Sequence, residues 1–299
     1  NSSSSSFILL GVPGLEPFHT CLGMFFCSAY VLAVVGNGAV LLVLGLDKAL
    51  QAPTHRFLGM LALLDVVMVT SVVPKMLSVF WLGSAEIGYV ACFVQMFLVH
   101  STTAEESGVL LAMAVDRYVA VCQPLRYHAI LSGRAIAQIG LAIVLRALLF
   151  MVPLTGLLTS LPYCGSRRVP HSYCEHEAVA GLACADPRPS GLYSVAGSSL
   201  IVGMDVAVIA VSYGMILKAV LGKESRWKAL STCGCHVCVV LLFYIPGLVS
   251  IYARGFGGAV SMCTQVLLAD LYLTLPTTLN PLVYSLRTRQ IRRALLKTL

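Results

Sequence analysis

LGMFFCSAYVLAVVGNGAVLLVLGL, from Leu22 to Leu46, is a run of 25 residues without a formal charge. As a helix rising about 1.5 Å per residue, it is long enough to cross the ~30 Å hydrocarbon layer of a bilayer. Six further runs follow it: Phe57 to about Leu82, Cys92 to Val115, Ile136 to Leu161, Leu192 to Leu217, Ala229 to Ala253 and Val260 to Leu286. Five of the six are interrupted by charge: Asp65 and Lys75 in the second span, Glu105 and Glu106 in the third, Arg146 in the fourth, Asp205 in the fifth and Asp270 in the seventh. The composition agrees with this reading. The 299 residues are 58% hydrophobic and 11% charged, with a mean hydropathy of +0.87, whereas soluble domains carry about 25% charged residues. A water-soluble enzyme cannot hide that much apolar side chain, and disordered chains are poor in it. No alternating ten-residue pattern recurs, so a membrane barrel is not supported. Backbone polar groups find no water in hydrocarbon, which leaves an all-α bundle of seven transmembrane helices.

Orientation follows from the basic residues. Most of the 20 Lys and Arg fall in loops on one side, among them Lys48, Arg117, Arg126, Lys223, Arg226, Lys228 and the basic tail after Leu286. The positive-inside rule puts that side in the cytoplasm. Seven crossings then place the N-terminus outside. Residues 1–21 are expected as an extracellular segment, 22–286 as the bundle, and 287–299 as a cytoplasmic amphipathic helix on which Ile291, Leu295 and Leu299 share the membrane face. No cleavable signal peptide is expected, since the first span can direct insertion. The net charge of +7 reads as topogenic, and nucleic acid is not an expected partner. Asn1-Ser2-Ser3 fits the glycosylation sequon, which requires the outside. Cys92 and the outer-loop Cys164, Cys174 and Cys184 are placed to pair in an oxidising compartment; sequence alone leaves three connectivities open. Their loop, about 162–191, lacks an obvious helix or strand pattern, and at roughly thirty residues it is of the length that usually carries function.

Several motifs are more specific. Met113-Ala114-Val115-Asp116-Arg117-Tyr118-Val119-Ala120-Val121-Cys122, continuing to Pro124-Leu125-Arg126-Tyr127, resembles the signature of olfactory receptors, which are rhodopsin-like G-protein-coupled receptors. Lys228-Ala229-Leu230-Ser231-Thr232-Cys233 with His236, Asn280-Pro281-Leu282-Val283-Tyr284, Gly36-Asn37 and Leu61 to Asp65 carry the same resemblance, which covers nearly the whole chain. Val12-Pro13-Gly14-Leu15-Glu16 and His171-Ser172-Tyr173-Cys174-Glu175-His176 are similar to the class I, or fish-like, branch. The chain departs from the family pattern at Thr54-His55, where Met-Tyr is usual, and at Cys235, where Ser is usual. The resemblance implies bridges Cys92–Cys174 and Cys164–Cys184 that fix a lid over an outer pocket. A metal site from His171, Cys174 and His176 competes with that, because ligation needs a free thiolate.

On this reading Asp116-Arg117-Tyr118 forms the cytoplasmic switch. The Arg117 fork is held by the adjacent carboxylate and released to meet carbonyls of a partner helix when span six swings out. Arg226 and Lys228 flank the same cleft, and Asn280-Pro281 with Tyr284 marks a hinge in span seven. Mid-membrane Asp65 must face other helices, with Asn37 and Asn280 as its expected neighbours. The family places a sodium ion in this region, for which Asp65 and Glu106 are the candidates; a structural polar network without an ion fits the buried charge equally. The ligand residues expected are His100, Thr103 and Ala104 on span three, Met151 and Leu154 on span four, Ser194 and Ser198 on span five, Ser250, Ile251 and Arg254 on span six, and Tyr272 on span seven.

The function implied is that of an odorant receptor in the plasma membrane of olfactory neuron cilia. It binds a small volatile or water-soluble odorant and acts through the olfactory stimulatory G protein to raise cyclic AMP. The odorant is a short carboxylic acid if Arg254 with Ser250 offsets its lost hydration, or a neutral alcohol, ketone or ester; both stay open. No cofactor and no catalysis are expected. One rival is a transporter or channel using Asp65, Glu106, Arg117 and Asp270 as a charge path, although no internal repeat of the kind transporters use is visible. Another is a same-fold receptor for a metabolite outside the olfactory epithelium.

Overall fold

The computed structural model describes residues 6–47, 50–221, 226–255, 260–287 and 289–298, with the side chains of 226–232, 235, 250–255, 285–287, 289 and 298 outside the description. In chain order the elements are β1 (Ser6–Leu9), α1 (His19–Leu46), α2 (Pro53–Leu82), β2 (Glu86–Gly88), α3 (Tyr89–Cys122), α4 (Tyr127–Ile130), α5 (Gly133–Thr159), β3 (Arg168–Val169), α6 (His176–Ala180), α7 (Arg188–Val220), α8 (Arg226–Gly255), α9 (Met262–Arg287) and α10 (Arg289–Thr298). The long helices α1, α2, α3, α5, α7, α8 and α9 coincide with the seven apolar runs, and they extend past them wherever charged or polar residues continue the helix beyond hydrocarbon. Thus α3 runs on to Cys122 and keeps Asp116-Arg117-Tyr118 helical. By length and composition α1, α2, α5, α7 and α9 qualify as membrane spans, and α3 joins them when taken with the segment bent by 115° after it.

Local chemistry sets several boundaries. Pro53 opens α2, where a missing N–H is harmless, and Gly83 closes it with a left-handed φ of 61°. Ser132 caps α5, its hydroxyl accepting from the Ala135 N–H at 3.3 Å. The helices are inside out relative to a soluble bundle. On α1, Ala33, Asn37 and Val40 are buried while Val31, Leu32, Val35 and Leu42 are exposed, the pattern expected when lipid is the solvent. Small residues allow close approach: a Cβ on Gly36 would come within 2.9 Å of Pro281 Cγ, so α9 can lie against α1. At the far end of the chain α10 folds back on α1, with Ala294 buried against Val43 and Leu50.

The disulfide-bearing end carries structure that the sequence did not disclose. Within the N-terminal segment, Ser6–Leu9 is the central strand of a three-stranded sheet ordered β2-β1-β3. It runs antiparallel to β2 and parallel to β3, pairing Phe7 with Ile87 and Leu9 with Val169. The Ile8 N–H donates to Arg167 O at 2.8 Å and Leu10 N–H to Val169 O at 3.0 Å. The long outer loop is likewise structured, since it contains β3 and α6. Both were illegible because each element is two to five residues long and depends on partners distant in sequence. Phe7 anchors the sheet, buried among the rings of Tyr89, Phe93 and Tyr163.

Candidate functional site

Under this lid lies a cavity of about 160 Å³ between α3, α5, α7, α8 and α9. Of the residues expected at the ligand, His100, Thr103, Ala104, Leu154, Ser194, Ser198 and Tyr272 line it. Met151 does not line it. It is buried, but the cavity face of α5 is taken by Phe150, four residues before Leu154 and therefore on the same side of the helix. Ser250, Ile251 and Arg254 belong to α8, and their side chains lie outside the described residues. Sequence reasoning missed Ser107, Phe150, Phe243 and Tyr244. Ser107 was legible in principle, because it lies one helical turn beyond Thr103 on the same face. The loop adds Tyr173, Glu175, His176 and Glu177 from above, and the rings of His100 and His176 meet edge to face at 6.4 Å.

The loop is held over the cavity from several directions. Cys92 of α3 is bonded to Cys174, with Cα atoms 5.4 Å apart, and Cys164 is bonded to Cys184 at 6.0 Å. The first bridge consumes the thiol that a metal site with His171 and His176 required. The Cys174 N–H donates to Gln95 Oε1 at 2.9 Å. The Ser172 hydroxyl donates to the Asp270 carboxylate of α9. Glu175 starts α6, its Oε2 accepting from the Ala178 N–H at 2.8 Å.

The floor of the cavity is a polar cluster drawn from four helices. Arg146 of α5 donates through Nη1 to Asp205 Oδ1 of α7 at 2.6 Å and through Nη2 to Ala104 O of α3 at 2.9 Å. Ser107 Oγ donates to Asp205 Oδ2 at 2.5 Å and lies 2.7 Å from the hydroxyl of Tyr244 on α8. Asp205 is only 1% exposed, so its charge depends on these partners. Gly108 makes room for the guanidinium, since a Cβ there would sit 2.9 Å from Arg146 Nη2. Because Ser107 and Tyr244 also face the cavity, the cluster joins the ligand space to α8.

Deeper in the bundle, Asn280 Nδ2 donates to both Asp65 oxygens at 3.1 Å. The expected contact from Asn37 is not made; its Nδ2 donates instead to Ala33 O at 3.0 Å and Thr277 O at 2.9 Å, tying α1 to the backbone of α9. The Thr277 carbonyl is available because Pro281, four residues on in α9, has no N–H to donate to it. Glu106 is buried, and its Oε1 takes no hydrogen bond among the described residues. Two buried carboxylates, one with an orphaned oxygen, are the hard donor set that a sodium ion takes.

At the basic end the switch triplet differs from the expectation. Asp116 does not form an ion pair with Arg117; among the described residues the ion pairs are Arg146–Asp205 and Arg188–Asp186. Its carboxylate accepts instead from Thr54 Oγ1 and from the Tyr127 hydroxyl, each at 2.7 Å. Adjacent residues on a helix point about 100° apart, which lets neighbouring segments reach Asp116 first. Burial pushes the Tyr127 phenol up to about 12, so it stays a donor at neutral pH. The Arg117 Nε is buried without a hydrogen-bond partner among the described residues. Tyr118 packs against Ile216, Val220 and Cys233, linking α3 to α7 and α8. Tyr284 is buried with its hydroxyl 4.0 Å from Met113 Sδ, and Asn280-Pro281 lies within a continuous α9. The side chains of Arg226 and Lys228, and all of Asn1, lie outside the described residues. Thr54 is one of the positions where the chain departs from the family pattern, and it now has a task. Thr54→Ala is expected to remove one hydrogen bond of about 0.5–1 kcal/mol from Asp116 and so to lower the thermal unfolding midpoint of the purified protein; an unchanged midpoint would count against that contact.

Comparison with known proteins agrees with this geometry. A family model described as olfactory receptor matches residues 26–299. Olfactory receptor 52I2 of Homo sapiens is 51% identical over 292 residues, covering 96% of this chain and 83% of that protein. Olfactory receptor 52I1 of Homo sapiens is 50% identical over 291 residues, covering 96% and 90%. Olfactory receptor 52P1 of Homo sapiens is 45% identical over 296 residues, covering 98% and 92%. Similarity of that extent, in a chain whose long apolar helices enclose a lidded cavity, settles the class: this protein belongs to the olfactory receptor family, a multi-pass receptor of the plasma membrane and not an enzyme.

Proposed function

We propose that a small odorant binds in the cavity between α3, α5, α7, α8 and α9, and that its binding activates a stimulatory heterotrimeric G protein and raises cyclic AMP. The observation that carries this reading is the shared floor: Ser107 and Tyr244 face the cavity and at the same time belong to the hydrogen-bonded cluster around Asp205. A ligand touching either hydroxyl competes with the bond between α3 and α8, so occupancy has a differential energy on the position of span six, as any population shift requires. The residues at the basic end then act in sequence. Movement of α8 away from α3 opens a cleft beside Arg117, whose five donors suit backbone carbonyls of a partner helix. In this reading the N-terminus is outside, residues 1–21 and the long loop form the outer cover, and 287–299 lies on the inner leaflet. Asp65 and Glu106 would hold a sodium ion, which supplies a counter-charge for two buried carboxylates.

The test is a cyclic AMP assay in cells co-expressing the stimulatory G protein, using carboxylic acids beside alcohols, ketones and esters of matched chain length. Activation by at least one set, absent in cells without the receptor, is expected; surface-delivered protein that never moves cyclic AMP would refute the coupling. A preference for acids would place a cation at the cavity, for which Arg254 is the candidate, whereas equal or better responses to neutral analogues would assign recognition to the hydroxyls. Arg117→Ala is expected to lower evoked cyclic AMP by more than about tenfold, the order of a lost charge-assisted contact of ~1.5–3 kcal/mol, with surface staining near wild type. Retained signalling in that variant would remove Arg117 from the switch.

A further inference from the structure

We infer that the deep end of the cavity accepts hydrogen bonds and offers none, so that it selects alcohols over ketones, ethers and carboxylates of the same length. The inference rests on the cavity being the odorant site and names the ligand class that site takes. It follows from placing the hydrogens. Arg146 is a permanent cation that only donates, and Asp205, its partner at 2.6 Å, is the acceptor. Ser107 has a single hydroxyl hydrogen and gives it to Asp205 Oδ2 at 2.5 Å. The Ser107 and Tyr244 hydroxyl oxygens lie 2.7 Å apart. Because the Ser107 hydrogen is already placed on Asp205, the hydrogen between the two oxygens belongs to Tyr244. The chain thus has one direction, Tyr244 to Ser107 to Asp205, and the guanidinium of Arg146 fixes it. Both hydroxyls line the cavity, and what they can turn toward a ligand is lone pairs.

The adjoining walls are committed in the same way. The Thr103 hydroxyl donates to Val99 O at 2.8 Å and the Ser198 hydroxyl to Val195 O at 3.2 Å, each within its own helix. Tyr272 is paired with Thr103, and since the Thr103 hydrogen is on Val99, Tyr272 is the donor of that pair. The side chains suited to donate to a ligand, His100, His176 and Ser194, line the outer half instead; His100 and Ser194 stand one turn outward of Thr103 and Ser198. A ligand whose polar end reaches the floor therefore meets oxygen lone pairs. A hydroxyl turns its hydrogen to them. A ketone or ether oxygen has no hydrogen to give and is stripped of water against like partial charges, and a carboxylate adds a full charge to that penalty. An ammonium can donate, but the charge of Asp205 is already balanced by Arg146, so the floor holds no counter-charge for it. Sites organised around a hydrogen bond reject the analogue that cannot make it more sharply than sites that measure size.

The experiment uses the full-length receptor in cells, read by cyclic AMP and normalised to surface staining. The probes are primary alcohols from butanol to nonanol, each beside the methyl ketone, methyl ether and carboxylic acid of matched chain length. In the wild type the best alcohol is expected to exceed its ketone, ether and acid counterparts in potency by about tenfold or more. Ser107→Ala removes the oxygen that takes the Tyr244 hydrogen and leaves that hydrogen to the ligand, so the alcohol-to-ketone ratio should fall to about one or invert. Ser107→Thr keeps the hydroxyl and should keep the ratio, which separates the direction of the chain from simple packing. A ketone, ether or acid that equals the alcohol in the wild type overturns the inference, and so does an undiminished ratio in Ser107→Ala. The wild-type ratio decides alone if Ser107→Ala does not reach the surface. Thermal stabilisation of the purified receptor by the same compounds reads binding without a G protein. Selective stabilisation by alcohols with no cyclic AMP response refutes the coupling and leaves the floor standing; stabilisation and activation by no alcohol overturns the floor.

Discussion

Asp205→Ala is expected to remove most of the receptor from the cell surface and all odorant response from what remains. The substitution deletes the acceptor for both Arg146 Nη1 and Ser107 Oγ. Arg146 keeps only the Ala104 carbonyl, and its Nε already has no hydrogen-bond partner among the described residues. Its side chain is 29% exposed, so most of the guanidinium is surrounded by protein and feels the loss of its partner. Breaking one partner from a buried pair costs about 3–5 kcal/mol, which is a large part of the 5–15 kcal/mol that typically separates folded from unfolded chains. Surface staining should therefore fall by at least about tenfold, a ratio that needs only 1.4 kcal/mol. Asp205→Asn, which keeps an acceptor but loses the charge, is expected to fall between wild type and Ala. The apolar double variant Arg146→Met with Asp205→Leu separates folding from signalling. It should restore surface delivery, because two uncharged side chains need no counter-charge, yet still respond weakly, because the Ser107–Tyr244 pair has lost its anchor. Normal delivery of Asp205→Ala would mean that the ion pair does not hold the four helices together.

That cluster also marks the boundary of what the sequence discloses. The seven apolar runs are a one-dimensional signal, since bilayer thickness and backbone hydrogen bonding translate directly into run length, and the long helices appear where the runs are. The cavity residues on α3 were legible for a similar reason: His100, Thr103 and Ala104 follow helical spacing on a span whose other face carries Glu105. Pairings between helices were not legible. Arg146 and Asp205 stand out in the sequence only as two separate interruptions of apolar runs, and nothing in their spacing says that they meet. Asn37 was expected at Asp65 because both are polar and mid-span, whereas the prolines of α9 expose a backbone carbonyl that satisfies Asn37 first. Phe150 lines the cavity where its neighbour Met151 was expected, because helical periodicity does not fix the rotation of a helix about its axis. The switch triplet shows the same limit at shorter range. Adjacency of Asp116 and Arg117 suggested an ion pair, and the hydroxyls that occupy Asp116 instead arrive from α2 and α4, 62 and 11 residues away.

Cys92→Ser should be the most damaging single change at the outer end, and more damaging than Cys164→Ser. The bridge from Cys92 to Cys174 closes a loop with a sequence separation of 82, and the bridge from Cys164 to Cys184 one of 20. Constraint of the unfolded chain alone assigns about 4.5 kcal/mol to the longer loop and about 3.3 kcal/mol to the shorter. Position widens the gap. The longer bridge is the covalent tie between the loop and α3, and it fixes Cys174 where its N–H meets Gln95 and where Tyr173, Glu175 and His176 reach the cavity. The shorter bridge joins two parts of the loop to each other. Without it, the loop is still held by Cys92, by Ser172 on Asp270 and by strand β3 on β1. Cys92→Ser is thus expected to reduce surface delivery by about tenfold or more, and Cys164→Ser by a few-fold with weakened odorant potency in the delivered fraction. The variant Cys92→Ser with Cys174→Ser isolates the bridge from the reactivity of a stranded thiol: if loss of the tie is the cause, it should be no better than Cys92→Ser, and if mispairing of a free Cys174 is the cause, it should recover. A loss in Cys164→Ser equal to or greater than that in Cys92→Ser would show that the loop's internal shape, and not its attachment to α3, is what the cavity depends on.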